Sequence, residues 1–118
     1  MSFTEAIRSV FSKYVDFEGR ARRSEYWYFV LFNMLVSSVL AWLTRISPLL
    51  SGLIAVYEIA VFLPSLAVAF RRLHDIGKSG WYLLIGFVPI VGAILLIVWF
   101  CREGERRGNL YGPDPKPR

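Results

Sequence analysis

YWYFVLFNMLVSSVLAWL, residues 26–43, runs for eighteen positions without a charge, and its only strongly polar member is Asn33. At 1.5 Å per residue a helix of that length measures about 27 Å, close to the roughly 30 Å of bilayer hydrocarbon. Two further runs follow. Residues 49–70 carry one charge, Glu58, and one proline, Pro64, while residues 81–100 carry no charge but contain Gly86, Pro89 and Gly92. A barrel strand would alternate apolar and polar residues over about ten positions, and these runs do not. Helices are the remaining structure that satisfies its own backbone in lipid. The sequence therefore predicts an all-α integral membrane bundle of three transmembrane helices, 26–43, 49–70 and 81–100, in a single domain covering residues 1–118.

The composition agrees. Hydrophobic residues make up 55% of the 118 and charged residues 19%, with a mean hydropathy of +0.45, more apolar surface than a water-soluble domain of this size can hide. The borders of the runs are aromatic: Tyr26, Trp27 and Tyr28 open the first and Trp42 closes it, and Trp81, Tyr82 and Trp99 frame the third, as an interfacial belt requires. One cysteine, Cys101, rules out an internal disulfide, and one histidine, His74, leaves no Cys/His cluster for a metal. No metal and no cofactor are expected. The net charge of +5 is spread over residues 1–25, the link 71–80 and the tail 101–118. Because this charge flanks the apolar runs instead of forming one stripe, it reads as a topology signal and not as a nucleic-acid surface.

Before the first run, Phe3, Ile7, Val10, Phe11, Tyr14 and Val15 fall on one helix face, and Arg8, Ser9, Ser12, Lys13 and Asp16 on the other. Ser2 with Glu5 three positions later forms a capping box, and Gly19 is a natural stop. Within residues 1–25 this predicts an N-terminal amphipathic surface helix, packed on the membrane or on the protein itself. The link Thr44–Pro48 makes the first two spans antiparallel neighbours. With the amino end cytoplasmic, three spans place eight Lys and Arg inside and six outside. The tail arginines then lie on the less favoured side, although the Gly86, Pro89 and Gly92 interruption offers a re-entrant hairpin as another course for residues 81–100.

Two basic segments meet on the inner face: Gly19-Arg20-Ala21-Arg22-Arg23-Ser24-Glu25-Tyr26-Trp27, and Arg71-Arg72-Leu73-His74-Asp75-Ile76-Gly77-Lys78-Ser79-Gly80-Trp81. One reading of them is a salt-bridged corner in which Glu25 and Asp75 partner the arginines, Arg71 reaching Asp75 at i+4. The other is a site for a phosphate-bearing anionic lipid headgroup, built from Arg20, Arg22, Arg23, Arg71, Arg72, His74, Lys78 and Ser79. His74 and Asp75 are adjacent on a helix and point apart, so they make no ready catalytic dyad. In mid-membrane, Glu58 and Asn33 stand at the centres of their antiparallel spans. A charge there is expensive and usually faces protein, which predicts a Glu58 that hydrogen-bonds Asn33 or a carbonyl freed by Pro64 or Pro89.

These two basic segments, the Pro89-Ile90-Val91-Gly92 break and the ending Gly108-Asn109-Leu110-Tyr111-Gly112-Pro113-Asp114-Pro115 carry a family resemblance over Gly19 to Pro115. The chain resembles the bacterial inner-membrane family catalogued as domain of unknown function 805, the YhaH-like proteins. The resemblance implies a small helical multi-pass protein of the bacterial cytoplasmic (inner) membrane, and it implies no activity. The leading expectation is a non-enzymatic membrane protein whose basic corner binds membrane lipids or a larger membrane partner. A small oligomeric transporter or channel component built on Glu58 is the alternative, with a homo-oligomer as its implied assembly. A membrane enzyme acting on a lipid phosphate through His74 is the third reading.

Overall fold

The computed structural model describes residues 2–113 and 115. Four α-helices follow one another: α1 (Phe3–Ser12), α2 (Arg23–Ile46), α3 (Ser51–Asp75) and α4 (Val91–Cys101). Two 3-10 segments, Pro48–Leu50 and Gly80–Phe87, join α2 to α3 and precede α4. Among the described residues there is no strand beyond an isolated bridge between Asn109 and Gly112.

α2 and α3 form the frame. Their 24 and 25 residues extend about 36 and 37 Å, and both are apolar and long enough to cross a bilayer. The short 3-10 link holds them antiparallel, so that Phe29 packs near Val68 and Glu25 reaches Arg71. Pro64 sits inside α3 and frees the carbonyl of Ala60, four residues back. The Tyr14 hydroxyl donates to that carbonyl. Glu58 does not serve it: its carboxylate accepts from Ser37 Oγ at 3.1 Å, while Asn33 accepts from the Tyr57 hydroxyl at 2.5 Å. The expected Glu58 to Asn33 bond is thus replaced by two neighbouring bonds, each tying α2 to α3.

α1 begins as the capping box anticipates, with Ser2 Oγ accepting from the Glu5 amide at 3.2 Å. It ends at Ser12, capped by Lys13, well before Gly19. Gly19 instead takes φ +85° in the turn that delivers Arg20, a conformation glycine adopts without a Cβ penalty. The apolar face of α1 buries Ala6 and Val10. Val10 and Ile7 join Phe29, Phe32 and Val68 in one cluster, and Phe11 meets the Phe29 and Phe32 rings edge-on at 5.6 and 6.0 Å.

The third apolar run departs from expectation. Residues 81–100 do not form one spanning helix. Gly80–Phe87 is a 3-10 arm, the chain reverses at Pro89–Ile90, and α4 returns beside that arm. Two glycines permit the close pairing: a Cβ on Gly92 would lie 1.8 Å from the Ile85 carbonyl oxygen, and one on Gly86 would touch Leu96 at 3.0 Å. Both ends of the hairpin return to one end of the frame, where Gly80 lies against Phe70 and the Phe100 ring stacks on Tyr26 at 4.4 Å. At roughly 2.0 Å and 1.5 Å of rise per residue, the two arms are each about 16 Å long. An apolar run of twenty residues has the length of one long helix or of two short arms, and the structure has two arms with the break at Pro89–Ile90.

Candidate functional site

The functional candidate is the end of the frame where the amino-terminal link, the end of α3, the end of α4 and the tail converge. The apolar stretch of α3 ends at Phe70, and the next five residues, Arg71 to Asp75, are all buried. An arginine that leaves water must find a carboxylate and acceptors for its remaining N–H groups. Arg71 Nη1 meets Glu25 Oε2 at 2.6 Å, and its Nε donates to the Asp16 carbonyl at 3.2 Å. Glu25 also accepts from Ser9 Oγ of α1 at 3.1 Å. Asp75 is shared: its two oxygens take Arg20 Nε at 2.9 Å and Arg72 Nη1 at 2.8 Å.

Arg20 and Arg72 place their further donors on main-chain carbonyls, whereas Arg71 Nη2 is buried without a hydrogen-bond partner among the described residues. Arg20 donates to Arg107, Gly112, Glu105 and Asp75, and Arg72 to Phe100, Ala21 and Arg102. Arg20 thereby holds the tail, and Arg72 holds the end of α4. Burial lowers the pKa of Arg72 to about 10, opposed by the Asp75 carboxylate.

His74 lies in the same corner. Its Nδ1 lies 2.8 Å from the Gly19 carbonyl, so that nitrogen carries the donated proton, and its ring stacks on Tyr111 at 4.1 Å with planes 4° apart. Burial pushes the imidazole below its usual pKa, against the raising effect of the Gly19 carbonyl. Asn109 closes the end of α3 by donating to the His74 carbonyl at 2.9 Å, and the Glu105 amide donates to that of Asp75 at 2.8 Å. Gly104 makes the crossing possible, because a Cβ there would lie 1.9 Å from Asp75 Oδ2.

The structure thus brings Arg20, Arg71, Arg72 and His74 into one buried network and leaves the other members of the expected set at its rim. Arg71 pairs with Glu25, and it is Arg72, at i+3, that takes Asp75 in place of the expected i+4 bond from Arg71. Arg22 is half-buried at the N-cap of α2. Arg23 is exposed and donates to the Cys101 carbonyl at 3.2 Å. Lys78 places its ammonium over the rings of Tyr82 and Trp99, at 5.3 and 4.9 Å from their centroids, and Ser79 caps the 3-10 arm through the Trp81 amide. Gly104, Asn109 and Tyr111 were not anticipated as members of this corner. Asn109 and Tyr111 have one sequence signal, the turn-rich ending Gly108 to Pro115, and Gly104 stands before it.

Two openings flank the network. A groove of about 440 Å³ is lined by Arg23, Ser24, Trp27, Tyr28 and Cys101, and the Ser24 hydroxyl is buried without a hydrogen-bond partner among the described residues. A largely apolar cavity of about 620 Å³ lies between α3 and the 3-10 arm, with Phe17, Phe62, Phe70 and Trp81 among its walls.

The chain is 49% identical over 109 residues to the Inner membrane protein YhaI of Escherichia coli strain K12, covering 92% of each chain. It is 43% identical over 112 residues to the Inner membrane protein YhaH of the same strain, covering 91% of this chain and 93% of that protein. No solved structure matches. With two apolar helices of spanning length and relatives of this kind, the protein is a small protein of the inner membrane. Residues 14–113 match the family described as Protein of unknown function (DUF805), and the chain belongs to that family.

Proposed function

We propose that the protein is a non-enzymatic inner-membrane protein of two spans, residues 26–43 and 49–70, whose rim groove beside Arg23 binds the phosphate of an anionic lipid. In this reading α1 lies along the inner interface and the Gly80–Cys101 hairpin re-enters from the same side. The tail then stays inside. Of the twelve described Lys and Arg residues, only Arg45 belongs to the far link, a distribution that fits the positive-inside rule far better than three spans do.

The observation that carries lipid binding is the groove itself. It offers a guanidinium engaged by one carbonyl, a hydroxyl with no partner and the sides of two aromatic rings, at the water boundary of a span. A basic residue next to anionic lipid contributes about 1 kcal/mol, and an arginine fork suits phosphate oxygens. Arg20, Arg72 and His74 support the groove from behind with donors engaged by carboxylates and carbonyls, and Arg71 is fully buried with its Nη1 on Glu25 and its Nε on the Asp16 carbonyl. The cations left to meet a headgroup are Arg22, Arg23 and Lys78. Native mass spectrometry of protein released from bilayers of phosphatidylethanolamine and phosphatidylglycerol tests this. Arg23→Ala combined with Ser24→Ala should lose bound phosphatidylglycerol several-fold at unchanged thermal stability, and equal retention by the double variant would refute the assignment.

A further inference from the structure

We infer that the polar notch beyond the hairpin tip, formed by Asn33, Ser37, Tyr57 and Glu58, is the docking surface for a second copy of this chain. On α2, Tyr26, Val30, Asn33 and Ser37 lie on one face at spacings of four, three and four; on α3, Ala69, Ser65, Phe62 and Glu58 do the same. The hairpin covers one end of this stripe, where Leu83, Leu96 and Phe100 pack with Ala69, Leu73 and Tyr26. Its arms, about 16 Å long, stop halfway across the hydrocarbon. Glu58 stands at the middle of its apolar run and is exposed.

The hydrogen bonds at this uncovered end leave a matched pair of unmet groups. Glu58 Oε1 accepts from Ser37 and Asn33 Oδ1 accepts from Tyr57. Among the described residues neither Glu58 Oε2 nor the Asn33 amide nitrogen has a hydrogen-bond partner. Lipid chains supply neither a donor nor an acceptor, so a carboxyl and an amide at this depth are driven to face protein. One face holding both an unmet donor and an unmet acceptor is self-complementary under two-fold symmetry. Across such an axis the amide of Asn33 in each copy donates to the carboxyl of the partner's Glu58. Ser38, Ala41 and Ala55, small and exposed beside the notch, let the helices approach closely.

The inference rests on the two-span reading and is independent of the lipid groove. It is tested in native membranes with the full chain carrying Cys101→Ser. Ala41→Cys and Ala55→Cys should each give an oxidative cross-link between copies, and Leu35→Cys, on the opposite exposed face of α2, should not. Dilution in bilayers should show a dimer dissociation constant raised about tenfold by Glu58→Leu and by Asn33→Leu, the loss expected for two symmetry-related interhelical hydrogen bonds. Glu58→Gln, which keeps an acceptor and folds under the same constraints, should bring it back toward the parent value. A monomer at every protein-to-lipid ratio, cross-linking equal at Leu35→Cys, or cross-links to a different protein only would overturn the inference. Labelling of the tail from the outer side would instead show that the two-span reading itself fails.

Discussion

Arg71 is the residue on which the corner turns, because it is fully buried and its partner carboxylate, Glu25, is 2% exposed. The pair joins α3 to the first turn of α2, and through Ser9 to α1. Removing one member leaves an uncompensated charge in a dry site, which costs about 3–5 kcal/mol. Replacing both by apolar residues of similar volume removes the charge that would be stranded. Arg71→Ala should therefore lower thermal stability in detergent far more than Arg71→Met combined with Glu25→Leu. Equal losses for the single and double variants would show that the ion pair is not the source of the effect. The sequence reveals that Glu25 and Asp75 face arginines here, since few other acids lie near the spans. It does not reveal which arginine each takes, because i+3 and i+4 are both neighbours on a helix and Glu25 is distant in the chain.

At the scale of elements, the hairpin decides how the chain differs from a plain three-helix bundle, and its tip is strained. Ile90 takes φ +65° and ψ −64°, and the Val91 amide donates to the Pro89 carbonyl at 2.7 Å. This is a γ-turn of the positive-φ kind, rare even for residues without a branched side chain. Such a conformation costs about 1–3 kcal/mol, and Ile90 is 75% exposed, so its side chain returns little packing. Ile90→Gly should raise the thermal midpoint in detergent, whereas Gly92→Ala should lower it sharply by forcing a methyl into the Ile85 carbonyl. A neutral Gly92→Ala would mean that the arms do not pair closely. The long helices α2 and α3 are legible from their apolar runs, α2 also from its aromatic borders, and the Ser2 cap of α1 from spacing alone. The fold of residues 81–100 is only half legible: Gly86, Pro89 and Gly92 mark a break, but hydropathy does not distinguish one span from two half-spans. A β-branched isoleucine carries no turn signal at all. The return of the tail onto His74 and Asp75 is invisible to periodicity, since it depends on single contacts by Gly104, Asn109 and Tyr111.

For the whole molecule, the hairpin brings the carboxyl end back beside the start of α2. α4 ends beside Tyr26 and Trp27, where Trp27 Nε1 donates to the Phe100 carbonyl at 3.0 Å, and Arg20 grips the tail through the carbonyls of Glu105, Arg107 and Gly112. In the proposed two-span reading, a tail held by the residues that precede α2 lies on their side of the bilayer. Charge points the same way, because a third full span would move Arg102, Arg106 and Arg107 to the side that basic residues avoid. Two single-cysteine variants in the Cys101→Ser background separate these topologies in intact cells. Ser47→Cys, in the link between α2 and α3, should react with a membrane-impermeant maleimide added from outside. Gly108→Cys, in the tail, should react only after the membrane is opened. A three-span protein with its amino end inside would label at Gly108→Cys from outside, and that outcome would detach the tail from the corner and undo the buried network around Arg20 with it.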